Sequence, residues 1–145
     1  MSLRTHSLVA SEDFGPRLSA SAVALAISRG LQAADSPEPD LCPLPPLDRD
    51  GDPRELLDSL DFDLRMRAAR AVILATRHLH ESALSRSLAF EIATRARQSG
   101  VPAYAVVAMN ELDSFDARIL DLQLILEARG AKTLEAAGRE LAEVL

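Results

Sequence analysis

The chain has 145 residues, a length that fits one folded domain with a substantial core. Its composition, 48% apolar and 26% charged, is that of a globular protein rather than a disordered one. The net charge of −6 argues against sequence-independent binding to nucleic acid, and no apolar run approaches the roughly 20 residues that span a bilayer. Cys42 is the single cysteine, which excludes an internal disulfide and favours a reducing compartment, so we expect a cytoplasmic protein.

The N-terminal third predicts a strand, a helix and a second strand. Residues 7–11 are short and apolar, as in a buried strand, and Ser19 is a suitable N-cap for a helix that follows. This helix should end near residues 33–35, because the prolines at 37 and 39 cannot continue it. Residues 35–53 then predict an edge strand around Pro43 and a loop rich in proline and aspartate.

The remainder alternates between the two kinds of element. A short helix is predicted from Pro53 to Leu60. The continuous apolar runs at residues 71–75 and 103–108 predict strands that are buried on both faces. The other predicted elements are a helix through Leu84, Leu88, Ile92 and Ala96, a helical turn at 113–118, a strand at 122–126 and a helix through Leu134 and Leu141. This order predicts a single α/β domain over residues 1–145, a three-layer Rossmann-like fold with a mostly parallel sheet of about five strands and helices on both faces.

The acidic turn at residues 48–52 is a candidate cation site. Asp48, Asp50 and Asp52 have the spacing of the first three calcium ligands in an EF-hand. However, Pro53 replaces the required glycine and Ser59 replaces the final glutamate, so that mechanism of calcium binding fails. We therefore expect a solvated turn that could still contribute a contact to magnesium or another ligand.

A second candidate is the His78-Leu79-His80 segment, which follows a predicted buried strand. His-x-His can bind zinc, but the sequence identifies no third protein ligand. We therefore predict two exposed imidazoles in a strand-to-helix loop and expect no bound metal. The segment remains of interest, because open α/β sheets bind ligands beyond the carboxyl ends of their strands. The glycine-rich motifs of nucleotide-binding loops and the nucleophile-elbow motif are both missing from the sequence.

The order of segments resembles the glycerate kinase family, in the type that has a Rossmann-like domain and an inserted second domain. The family motif A-P-D-S-F-K-G-S-L-S-A corresponds to ASEDFGPRLSA at residues 10–20, followed by an alanine-rich helix. The family motif L-P-x-A-D-G-G-E-G-T corresponds to LPPLDRDGDP at residues 44–53, and V-I-T-G-E-G-R-L-D corresponds to the segment from Val72 to His80. The resemblance covers nearly the whole chain but only the two ends of the family chain, because the central part is missing between about Leu57 and Asp63.

The differences from the family motifs are concentrated where the chemistry would be. In the first motif the aspartate becomes Glu12, the lysine becomes Gly15 and the loop glycine becomes Pro16, which has no amide donor. The second motif keeps Asp48 but replaces its paired glycines, and the glycine-lysine pair that follows the third motif becomes Arg86-Ser87. The resemblance thus implies family-motif positions at Glu12, Asp48 and His80, and candidate ligand-binding residues at Asp13, Asp50, Thr76, Arg77 and His78.

Phosphoryl transfer depends on positioning and on cationic or metal stabilisation of phosphate charge. With these groups replaced, the resemblance implies a reduced glycerate-kinase-like domain without phosphotransfer, which binds a partner protein or a small ligand and forms a homo-oligomer. It would need no cofactor. The alternative is an active glycerate kinase or related phosphotransferase that uses Mg-ATP at a site rebuilt around Glu12, Asp48 and His80. A third hypothesis is one subunit of a split system in which another protein supplies the missing domain.

Overall fold

The computed structural model describes residues 4–80 and 87–145. Within these ranges, five parallel strands form one sheet in the order β2-β1-β3-β4-β5. The three-layer α/β prediction is confirmed, and the sheet is parallel throughout. The elements in chain order are β1 Ser7–Ser11, α1 Ala20–Ala33, β2 Asp40–Pro43, α2 Pro53–Ser59, α3 Phe62–Ala68, β3 Ala71–Leu79, α4 Leu88–Gln98, β4 Ala103–Asn110, α5 Ser114–Leu120, β5 Leu122–Glu127 and α6 Ala131–Ala142.

This strand order is that of flavodoxin-like doubly wound folds. From β1 the chain passes through α1 to β2 at one edge, and then returns across the sheet to β3 on the other side of β1. The direction of winding therefore reverses between β1 and β3. In open α/β sheets the carboxyl ends of the strands at such a reversal form the usual ligand-binding crevice.

Two core layers fix the helices on the sheet. The layer formed by α1 and α6 contains Val9, Ile27, Ile73, Val106, Leu134 and Leu141. The layer on the opposite face contains Leu8, Leu57, Phe62, Met66, Leu74 and Ile92. Because successive side chains of a strand point to opposite faces, an apolar run such as residues 71–75 supplies both layers at once.

Side-chain caps set several helix starts. The Ser19 hydroxyl accepts a hydrogen bond from the Ala22 amide at the start of α1, as predicted. The carboxylates of Asp52 and Asp113 do the same for α2 and α5. These local contacts explain why the starts of α1, α2 and α5 could be placed within a residue or two.

The structure differs from the predicted elements in the lengths of β3 and β4 and in one additional helix, α3. β3 extends to Leu79 and β4 to Asn110, so both strands are longer than their apolar runs, because the two strands stay paired at His78 and Met109. Helix α3 was not predicted, since only Phe62 and Met66 of its residues are buried. Leu84, predicted to lie in the helix that includes α4, is outside the described residues.

Charged contacts hold α2, α3 and α4 together. The Arg95 side chain, 12% exposed, lies within 2.9–3.3 Å of carboxylate oxygens of Glu91, Asp58 and Asp63. Arg65 of α3 makes a bidentate contact with Asp40 of the edge strand, at 2.7 and 2.9 Å. These contacts fix the segment around Leu57–Asp63, where the family resemblance places the missing domain. In the part of the chain that the structure describes, no helix is long and apolar enough to cross a membrane.

Candidate functional site

The candidate site lies at the carboxyl end of β1, beside Thr76 and Arg77 of β3, at the reversal of the sheet. The Glu12 amide donates a hydrogen bond to the Ala75 carbonyl at 2.8 Å, which brings Glu12 beside Thr76. The Thr76 hydroxyl is hydrogen-bonded to the Glu12 carboxyl group. Burial raises the pKa of Glu12, the Asp13 charge raises it further, and the Thr76 contact partly opposes them. The site therefore favours a protonated Glu12 more than water does.

The loop from β1 to α1 uses its own amides for internal hydrogen bonds. The Asp13 carboxylate accepts from the Gly15 amide at 2.9 Å, and the Phe14 amide donates to the Leu18 carbonyl at 2.9 Å. The Leu18 amide in turn donates to the Gly15 carbonyl at 3.2 Å. Gly15 has a φ of 105°, a conformation that favours glycine, so it is the residue that lets the loop close on itself. Pro16 has no amide donor.

Arg77 brings a positive charge to the same loop. A Cβ atom on Gly15 would lie 3.7 Å from Cζ of Arg77, so the guanidinium group packs beside the loop backbone. Arg77 is exposed, whereas Thr76 next to it is buried. The structure thus brings four of the predicted residues together where β1 ends beside β3: Glu12, Asp13, Thr76 and Arg77.

The two histidines lie on the β4 side of this group. His78 is within β3 and pairs with Met109, so the prediction that both imidazoles lie in a strand-to-helix loop is wrong for His78. Its ring centroid is 4.3 Å from that of His80. Its Nε2 is 3.2 Å from Oε2 of Glu111, but the angles are not those of a hydrogen bond and this solvent-shielded nitrogen has no hydrogen-bond partner.

The acidic turn forms a separate cleft of about 510 Å³. Asp48, Asp50 and Asp52 line it together with Phe90 of α4 and with Ser87, which caps the start of that helix. Asp48 and Asp50 are exposed, and the Asp52 carboxylate is engaged at the N-terminus of α2. Among the described residues that line this cleft there is none from β1, β3 or the loop after β1, so the acidic turn does not join the Glu12 group.

Metal binding finds no support in the described ranges, 4–80 and 87–145. No group of three or more histidine, cysteine, aspartate or glutamate side chains is placed there to hold a metal ion. The site offers a half-buried acid, a hydroxyl and a guanidinium group. Glu111 was not selected from sequence, because its place beside His78 depends on the pairing of β3 with β4.

Comparison with known proteins shows the fold and no family. No family model matches the chain, and no curated protein matches it. Among solved structures, it is similar to a proposed pilus assembly-related protein from Burkholderia pseudomallei K96243, with a TM-score of 0.53 and 14% sequence identity. The match covers 99% of this chain and 94% of that chain. At this identity the likeness shows a shared fold alone; it does not bear on glycerate kinase, and that resemblance stays a prediction from sequence.

Proposed function

We propose that this chain is a protein-interaction domain whose former ligand loop does not support phosphoryl transfer. One observation carries the proposal: the amides of Glu12, Phe14, Gly15 and Leu18 all donate within the protein, and Pro16 has none to donate. A loop that holds phosphate does so with backbone amides that point at the ligand. These amides already donate hydrogen bonds within the protein and are therefore not available to a phosphate group.

The charges near the loop support the same reading. Glu12 and Asp13 add two carboxyl groups to this loop, and the guanidinium group of Arg77 packs beside Gly15. The acid with the raised pKa is a poor magnesium ligand when protonated, and the turn carrying Asp48 lines a different cleft. The alternative, a phosphotransferase rebuilt around Glu12, Asp48 and His80, therefore gains no support from the geometry.

Under this proposal the chain acts by binding another protein or a second copy of itself, in the cytoplasm. The glycerate kinase resemblance would make the chain a reduced member of that family. The interaction proposal does not depend on that resemblance. The exposed side chain of Leu64, 72% accessible, follows the position at which the family's inserted domain would join. An uncovered apolar group at that position is compatible with a lost covering domain, and equally with the split-system hypothesis.

Titration calorimetry with Mg-ATP, followed by an assay of ATP consumption with glycerate, tests the proposal. We expect no heat of binding and no turnover. If binding is observed, the Arg77→Ala variant assigns it, because loss of that heat would place the nucleotide at the loop and overturn the proposal. Turnover of ATP with glycerate would overturn it directly.

A second proposal draws on the structural neighbour, whose name assigns it to pilus assembly. The two chains match over nearly their full lengths, so the similarity extends over the whole domain and not over a fragment. We propose that this chain also serves as an interaction domain in such an assembly. Co-purification of the tagged chain with pilus assembly proteins from its native source would support this, and recovery without any of them would count against it.

A further inference from the structure

We draw no further inference here: the strongest candidate, the side-chain cluster of His78, His80 and Glu111 where the paired strands β3 and β4 end, carries nothing, because among the described residues it is not arranged to hold a metal ion, and residues 81–86, which follow it in the chain, lie outside them, so that nothing in the structure shows what would bind to it.

Discussion

Gly30 of α1 and Gly138 of α6 lie in direct backbone contact where the two helices cross. A Cβ atom on Gly138 would be 3.1 Å from Cα of Gly30 and would overlap the Ile27 carbonyl oxygen, and one on Gly30 would overlap the Glu135 carbonyl oxygen. Neither contact can be relieved by turning a side chain, because the atoms are backbone. This crossing holds one helix layer of the domain against the face of the sheet that carries Val9 and Ile73.

Gly138→Ala should therefore lower the free energy of unfolding by about 1–3 kcal/mol, because the added methyl group forces α1 and α6 apart. Chemical denaturation followed by circular dichroism measures the change. Gly130→Ala is the comparison: no atom lies within 4 Å of its Cβ position, so it should cost only the roughly 0.5–1 kcal/mol by which alanine is the poorer N-cap of α6. Equal effects of the two substitutions would contradict the crossing described here.

Arg95 is expected to contribute more to stability than an exposed arginine does. Arg95→Met leaves the carboxylates of Glu91, Asp58 and Asp63 without their shared cation and should cost about 1–2 kcal/mol. Arg139→Met serves for comparison, because Arg139 makes one exposed contact with Glu135, and such pairs contribute about 0.3–0.5 kcal/mol. A loss at Arg95 no greater than that at Arg139 would show that the three-acid contact is unimportant.

The raised pKa of Glu12 predicts a pH dependence of stability. Between the usual carboxyl pKa of 4.5 and the higher value in the folded state, the folded chain retains a proton that the unfolded chain has lost. Stability contributed by this group therefore falls as the pH rises through that range. Glu12→Gln should be more stable than wild type at neutral pH, and the difference should shrink as the pH falls towards 4.5 and change little below it.

Denaturation of both proteins at several pH values measures this difference. The glutamine carbonyl can still accept the Thr76 hydrogen bond, so the substitution removes the charge while leaving the contact possible. Glu55→Gln controls for a general effect of losing one negative charge, since Glu55 is exposed on α2. A glutamine variant that is less stable than wild type at neutral pH would refute a destabilised carboxylate at this site.

The thiol of Cys42 is expected to be unreactive in the folded protein. Its side chain is buried, and burial raises the pKa of the thiol while the charge of Arg65, whose Nη1 lies 3.4 Å from Sγ, acts in the opposite direction. Modification by a disulfide reagent should be at least about a hundredfold slower than in denatured chain, because it requires local opening. Arg65→Met should accelerate it by loosening α3 from the edge strand. Rapid modification of the native wild-type protein would contradict this placement.

Much of the fold follows from short segments of sequence. The apolar runs around Val72 and Val106 predict buried strands, Ser19 marks the start of α1, and Pro43 places β2 at an edge, all of which the structure has. Each of these signals is local: it depends on whether a side chain can be buried or an amide capped within a few residues. Such preferences hold largely regardless of what the rest of the chain does.

The site could be predicted only in part, for a different reason. Arg77 and His78 interrupt the apolar pattern and so appear to end β3, yet pairing with β4 extends the strand past them. Helix α3 has only a weak apolar pattern. Arg65 holds it in place through contacts with Asp40, 25 residues away, and Leu41, 24 residues away. These contacts depend on residues distant in the chain, which a pattern of neighbours does not contain.

The class of fold and the approximate elements follow from the sequence, as does the absence of a lysine from the loop after β1. That Glu12 and Thr76 meet, that Arg77 lies on Gly15 and that Asp48 lines another cleft follows only from the folded chain. Burial and backbone propensity act over a few neighbouring residues. Which loops come together depends instead on the order of the strands in the sheet. In that order β1 lies beside β3, although α1, β2, α2 and α3 separate the two strands in the sequence.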